Sequence, residues 1–230
     1  MNLTHALYKR VANYSGSNSL GERFRRKRAK HLLDMIEAVA AHGGPVRILD
    51  LGGERRYWNI LPPGFLQQHR ARVTLLNLPG HNKPTQDDVF EDVEGDACEL
   101  SNFDSMSFSI VHSNSVIEHV GDWRRMELFA REVRRLAPKY FVQTPNFWFP
   151  IEPHFMTPFF HWLPEPTRAA LIRRHSLGSW PKAGCVGDSI AYVQSARLLD
   201  RKMFSHLFPD SPVLTERVLG LAKSLIAVRH

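Results

Sequence analysis

Cysteine is scarce in this chain. Only two occur in 230 residues, Cys98 and Cys185, and neither has a partner at CxxC or any other paired spacing. That excludes a disulfide framework and a zinc knuckle and fits a reducing compartment. Long hydrophobic runs are also missing, so no membrane span is expected. The opening "MNLTHALYKRVANYSGSNS" lacks the apolar core of a signal peptide, and a cytoplasmic protein is the expectation. There is no internal repeat and no low-complexity segment. No carboxylate or thiol stands at ligand spacing from His154 or His161, so no metal site is expected.

Glycine runs short at one informative place. In "PVRILDLGGERRYWNILPPGF", residues 45–65, a β-branched apolar run ends in Asp50 and the pair Gly52 and Gly53. Glu54, Arg55 and Arg56 then stand where a nucleotide-binding turn carries further glycine.

What is present supports one core. With 43% hydrophobic residues, a 230-residue chain can bury one sheet-based core with an attached lobe. The reading is a single domain over 1–230, with an N-terminal helical cap (1–42), a ligand-binding core (43–145), an aromatic and proline-rich insertion (146–193) and a final helix with a β-hairpin (194–230). The net charge of +7 brings nucleic acid and anionic lipid into view as partners. Much of it lies in "ERFRRKRAK", residues 22–30, which reads either as the solvated half of a helix or as a polyanion site.

Along the chain, Ser15 to Ser19 form a link and a helix is expected over 22–41, ended by His42-Gly43-Gly44-Pro45. Residues 46–51 and 73–78 read as buried strands, separated by a short or broken crossover because Pro62-Pro63-Gly64 interrupts it. A third strand is expected at 108–112. Residues 122–136 make the clearest helix: Asp122 caps it, Trp123, Met126, Phe129, Val133 and Leu136 form an apolar stripe, and arginines cover the other face. A strand at 140–144 follows, stopped by Pro145. A helix at 195–207 and two β-prone runs across Gly220 close the chain as an antiparallel hairpin. Strands alternating with amphipathic helices predict an α/β protein with a Rossmann-like, doubly wound, mostly parallel sheet. Its ligands bind beyond the carboxyl ends of the strands.

The order of motifs resembles the class I S-adenosylmethionine (SAM) dependent methyltransferases, of the methyltransferase type 11 kind. "ILDLGG" is similar to their first motif, "LLNL" to the end of the second strand, "EGDACEL" to the acidic turn after the third, and "FSIVHSNSVIEHV" to the fourth strand with its loop. The closing hairpin is similar too. The likeness covers roughly 30–145 and 195–230. It implies SAM as cofactor, and it explains the glycine shortage, because SAM carries no phosphate that must approach the backbone.

By that resemblance Asp50 orders the loop and holds the methionyl ammonium, directly or through water, while Gly52 and Gly53 allow close backbone approach. Glu54 balances a cation, and Tyr57 and Trp58 either wall the methionyl tail or plug the core. Asn77 stands where a ribose-binding carboxylate is usual; an amide accepts from one hydroxyl and donates to the other. Asp96 accepts from the adenine amine, with the Ala97 N–H at the ring. Ser113 and Asn114 end the fourth strand beside the transferring methyl group. No Asn/Asp-Pro-Pro-Tyr motif and no Pro-Cys dipeptide occur, which disfavours methylation of nucleic acid.

Glu118 and His119 begin the following loop, where His119 is a candidate base and Glu118 its orienting group or a contact of the cofactor tail. His154 lies in "TPNFWFPIEPHFMTPFFHWLPEP", 144–166, whose aromatics and prolines read as a rigid extended cover. It is a second candidate for catalysis or substrate contact. The expected activity is O-methylation of a small-molecule, glycan or lipid-linked acceptor, with peripheral membrane contact suited to Phe155, Phe159, Phe160, Trp162, Arg168, Arg173 and Arg174. Two other readings compete: a non-catalytic RNA- or protein-binding module with a decayed cofactor site, and an NAD(P)-dependent oxidoreductase, which needs a third glycine. The oligomeric state and the acceptor's identity are not readable from the sequence.

Overall fold

Runs of five to nine residues, most of them apolar, pair into one seven-stranded sheet. The computed structural model describes residues 20–80 and 85–230. The link at Ser15 to Ser19 and the side chains at 22–27 lie outside the described residues. The strands are β1 (Val46–Leu51), β2 (Ala71–Asn77), β3 (Phe90–Glu94), β4 (Ile110–Asn114), β5 (Lys139–Pro145), β6 (Val213–Val218) and β7 (Leu221–Arg229). Their order is β3-β2-β1-β4-β5-β7-β6. The first five are mutually parallel, and β7 runs antiparallel to both β5 and β6. The chain therefore reverses its direction of progress across the sheet between β1 and β4, which makes a topological switch point.

Both faces of the sheet are covered, so its central strands are apolar on both sides. On one face Ile48, Ile110 and Phe141 pack with Leu32 and Ile36 of α1 (Leu20–Ala41) and with Trp58. On the other, Leu49, Leu51, Val111 and Tyr140 meet Met126, Phe129 and Val133 of α3 (Trp123–Leu136). The short α2 (Phe65–Gln68) lies between β1 and β2. The Asp122 carboxylate accepts the Arg125 N–H at 2.9 Å and starts α3 as its sequence predicts. No described helix is long and apolar enough to cross a membrane.

Three expectations need correction. Phe90–Glu94 forms a strand although its acidic sequence, FEDVE, has little β propensity; it is an edge strand, and Arg55 meets Asp92 at 3.1 Å. The expected helix at 195–207 is two elements: Ser195 ends α5 (Val186–Gln194), and Asp200 caps α6 (Arg201–Leu207) by accepting the Met203 N–H at 2.8 Å. Between them the chain is extended enough for the Leu199 carbonyl to accept the Phe147 N–H at 2.9 Å. The insertion is not only an extended cover. It contains α4 (Glu165–Ile172) and α5, which share a small core with Phe155, Phe160, Ala183 and Val193. Pro166 sits in the first turn of α4, where its missing N–H costs nothing.

The two cysteines differ in environment. Cys98 is buried, its thiol donates to the Arg125 carbonyl at 3.3 Å, and burial pushes its pKa up to about 11. Cys185 is exposed and its sulfur caps α5. A thiol reagent at pH 8 is therefore expected to titrate one fast equivalent in the native chain and the second only in denaturant. The fast equivalent should vanish in Cys185→Ser; two fast equivalents in the native state would contradict the burial.

Candidate functional site at the carboxyl edge of the sheet

The loop after β1 is built on a buried carboxylate. Asp50 is 1% exposed; its Oδ1 accepts from His112 Nδ1 at 2.7 Å and its Oδ2 from Trp58 Nε1 at 2.8 Å. His112 continues to the Tyr57 hydroxyl at 3.2 Å and stacks on Phe141 at 5.5 Å. Each Asp50 oxygen thus accepts one bond under the loop, and the carboxylate also borders the pocket above it. Gly52 adopts φ +69° and gives its N–H to the Leu76 carbonyl at 2.8 Å. A Cβ there would come within 2.6 Å of Val116, and one on Gly53 within 1.8 Å of Asp50 Oδ2. Only glycine fits this turn.

Over the switch point these residues line a pocket of about 190 Å³, together with Glu54, Arg56, Tyr57, His112, Asn114 and Ser115. Five predicted cofactor residues, Asp50, Gly52, Gly53, Glu54 and Asn114, thus meet in one place. Glu54 pairs with Arg56, its neighbour but one. Tyr57 both lines the pocket and is buried, while Trp58 belongs to the core. Asn77 gives its amide N–H to the Gly53 carbonyl at 3.0 Å and so braces the loop. Ser113 turns away: its hydroxyl donates to the Leu51 carbonyl at 3.2 Å. Ala97 packs against the core, beside Asp96.

Asp96 has a partner that sequence reading did not supply. It accepts twice from Arg125 Nη2, at 2.8 and 2.6 Å, and once from the Cys98 N–H at 2.9 Å. Burial raises its pKa, but the Arg125 and Cys98 hydrogen bonds outweigh it and the carboxyl lies below its ordinary range. Arg28, in the basic segment, is likewise engaged. It is buried, donates to Asn114 Oδ1 at 2.9 Å and meets Glu216 at 3.4 Å. Arg28 is thus an internal contact, while Lys30 of the same segment is exposed.

A polar cluster follows four residues after β4 ends. The turn Ile117–His119 brings Glu118 and His119 against His154 of the insertion. His119 Nε2 and His154 Nε2 lie 3.0 Å apart with their rings perpendicular. His119 Nδ1 donates to the Ser195 carbonyl at 2.7 Å. His154 Nδ1 is held by Glu152. Glu118 accepts from the Thr144 hydroxyl at 3.0 Å. Burial pushes the Glu118 pKa up, against the charges of the two histidines. Burial presses His154 down, but the hydrogen bond and charge of Glu152 and the charge of Glu118 hold it above the ordinary imidazole value.

The expectation of no metal site rested on chain spacing around His154 and His161, and folding changes the neighbours. His119 comes from across the sheet edge, and with Glu118 it makes a set of potential ligand atoms all within 4.8 Å. His161 is elsewhere, buried and donating Nε2–H to the Phe147 carbonyl at 2.7 Å, with a pKa lowered by burial. Glu152 escaped sequence reading, although "IEPH" places it two residues before His154. His112 had no signal, since its partner is fixed only by the sheet register that sets it beside Asp50.

Glu152 also borders a larger cleft of about 790 Å³ between the insertion and α6. Its walls include Phe147, Trp148, Phe155, Phe160, His161, Arg168, Arg197 and Met203. Its size and mixed lining suit an organic substrate.

No family model and no curated protein matches the chain. Among solved structures, the PH0226 protein from Pyrococcus horikoshii OT3 is similar over 97% of this chain and 97% of its own, at 15% identity and a TM-score of 0.52. Magnesium protoporphyrin IX methyltransferase (ChlM) from Synechocystis PCC 6803, solved with bound SAH, matches 99% of this chain and 96% of its own at 11% identity and a TM-score of 0.48. An O-methyltransferase family protein from Burkholderia thailandensis matches 87% of this chain at 14% identity and a TM-score of 0.48, and this chain spans 56% of that protein's length. At such identities the likeness is one of fold. The seven-stranded sheet with its antiparallel closing hairpin is a Rossmann-like sheet, the fold shared with the PH0226 protein.

The buried carboxylate makes the loop testable. Trp58→Phe removes one donor and leaves Asp50 Oδ2 unpaired, and is expected to lower stability by about 1–3 kcal/mol. Chemical denaturation checks this, with an unchanged midpoint as the contrary result. The paired substitution Asp50→Asn should cost less in the Trp58→Phe background than in the wild type, because the two act through one hydrogen bond.

Proposed function

We propose that this chain is a SAM-dependent methyltransferase that methylates an oxygen of a small-molecule, glycan or lipid-linked acceptor in the cytoplasm. One observation carries the cofactor reading. The glycine loop at the switch point runs into a 3-10 turn, Arg55–Ile60, and not into an α-helix whose N-terminus would meet a pyrophosphate. A dinucleotide loses its main anchor there, while a cofactor without phosphate loses nothing. The same observation argues against the nicotinamide reading.

The residues at the edge fit SAM part by part. Gly52 and Gly53 line the pocket without side chains, which leaves their backbone open to an amino-acid tail. The amide oxygen of Asn77 is available for a ribose hydroxyl. Asp96, ordered by Arg125, keeps carboxylate lone pairs for the adenine amine. Bound SAM supplies an activated methyl group on sulfur. Asn114 and Ser115 border the pocket, Glu118 to His119 follow them in the chain, and Glu152 opens on the larger cleft. An acceptor in that cleft presents its hydroxyl at the cluster where Glu118, His119 and His154 meet, and that cluster is where the hydroxyl loses its proton.

Calorimetric titration with SAM and SAH tests the cofactor. Saturable binding to the wild type is expected, weakened about tenfold or more by Asn77→Ala and by Asp96→Ala, each removing one hydrogen bond to the ligand along with its contacts inside the protein. A folded wild type that takes up neither ligand would refute the reading.

The lipid-linked acceptor has its own support. Trp148, Phe159, Trp162 and Leu163 expose large apolar side chains on the insertion next to the cleft, and their rings adjoin, with Trp162 5.0 Å from Phe159 and 6.2 Å from Trp148. Such a patch suits the headgroup level of a membrane. Co-sedimentation with anionic vesicles at low salt is expected, and Trp148→Ala with Trp162→Ala should reduce the bound fraction severalfold. Equal sedimentation of wild type and double variant would remove the membrane from the reading.

A further inference from the structure

We propose that Glu118, His119 and His154 hold one divalent transition-metal ion, of the Zn²⁺ type, at the junction between the insertion and the carboxyl edge of the sheet. The proposal goes beyond methyl transfer and does not depend on it.

The hydrogen bonds around the cluster fix both imidazole tautomers. The Ser195 carbonyl can only accept, so His119 carries its proton on Nδ1. Glu152 accepts from Nδ1 of His154 in the same way. Each neutral ring then presents a bare Nε2 lone pair, and the two lone pairs face one another at 3.0 Å. They repel unless something positive lies between them.

A single shared proton would satisfy the nitrogens but not the carboxylate. Glu118 is 1% exposed, and although Thr144 reaches Oε2, Oε1 has no hydrogen-bond partner. A divalent ion answers all three groups together. Their ligand atoms lie within 4.8 Å of one another. Tetrahedral zinc with bonds of about 2.0–2.1 Å sets its ligand atoms about 3.3 Å apart. The nitrogens need open by only a few tenths of an ångström, and the carboxylate has at most about 1.5 Å to close.

The outer contacts are those that hold metal ligands. One histidine leans on a carboxylate, the other on a backbone carbonyl, and the glutamate is steadied by a hydroxyl, which orients all three and raises the basicity of the rings. Two imidazoles and one carboxylate select Zn²⁺ and its first-row neighbours over Mg²⁺ and Ca²⁺, which take oxygen. Three protein ligands leave a fourth position, on the exposed side of His119, for water or an oxygen of a bound molecule. The ion would also fasten the insertion, through His154, to the core.

The full chain, without an affinity tag and stripped with chelator, is to be reloaded with Zn²⁺ or Co²⁺ and desalted. One ion per chain by elemental analysis is expected, with a tetrahedral or five-coordinate Co²⁺ visible spectrum and no displacement by millimolar Mg²⁺. Glu118→Gln, His119→Ala and His154→Ala should each weaken Zn²⁺ at least a hundredfold, and Glu152→Gln tenfold to a hundredfold. Asn77→Ala, outside the cluster, should keep the ion whether or not it binds SAM, so loss of the cofactor reading is distinguishable from loss of this one. A folded wild type that retains no Zn²⁺ or Co²⁺ would mean the histidines share a proton and overturns the proposal. So would an unchanged Co²⁺ spectrum in folded His154→Ala.

Discussion

The carboxylate of Asp50 is the constraint on which the site depends. An ionised group out of water costs several kcal/mol unless it is answered, and here two side chains from different segments answer it. His112 reaches it from β4, and Trp58 from the 3-10 turn beyond the loop. That pair of bonds joins the two strands of the switch point to the segment that has just left it. Gly52 and Gly53 follow as a geometric necessity, since the space a Cβ would need is already filled by Val116 and by the carboxylate itself. The loop is thus rigid before any ligand arrives, and the ligand's ordering cost is correspondingly small.

The substrate side is held by a second set of bonds at the root of the insertion. As β5 ends, the Asn146 side chain donates to the Ala222 carbonyl at 2.8 Å and its N–H to Lys223 at 2.9 Å, while Phe147 binds Leu199. The insertion therefore leaves the sheet fastened to the hairpin on one side and to the α5–α6 link on the other. Its own core around Phe155 and Phe160 is small, so the position of the cleft depends on that root and on the Glu118, His119 and His154 contact.

Much of the sheet was legible because it is buried on both faces. The run at 46–51 is β1 without a shift of either end, and the α3 stripe and the closing hairpin were equally plain. What failed had its cause in tertiary structure. Phe90–Glu94 carries three acids in five residues and reads as a loop until Arg55 and the edge of β2 are in place. The span 195–207 looks helical by composition, but a capping aspartate at 200 and the burial of Leu199 divide it. Within the site, the glycines, Asp50 and Glu54 come from one contiguous motif and Asn114 from a second, at the end of β4. Asp96 could be located but not its Arg125 partner, and the His119–His154 contact, 35 residues apart, had no signal in spacing at all.

The net positive charge says little by itself about partners, because several described arginines close off backbone carbonyls. Arg135 donates to the Leu100 and Phe103 carbonyls at 2.8 Å each. Arg229, at the end of β7, donates to the Ala137 carbonyl at 2.8 Å and to Pro138, where α3 runs out of internal partners. Arg125 takes the Val120 carbonyl at 2.7 Å as well as Asp96. A guanidinium with five donors in a fixed fork can serve a carbonyl and a carboxylate together, which lysine does poorly. The guanidinium groups of Arg125, Arg135 and Arg229 are thus engaged within the fold, and a formal charge count overstates the positive surface that the described residues present.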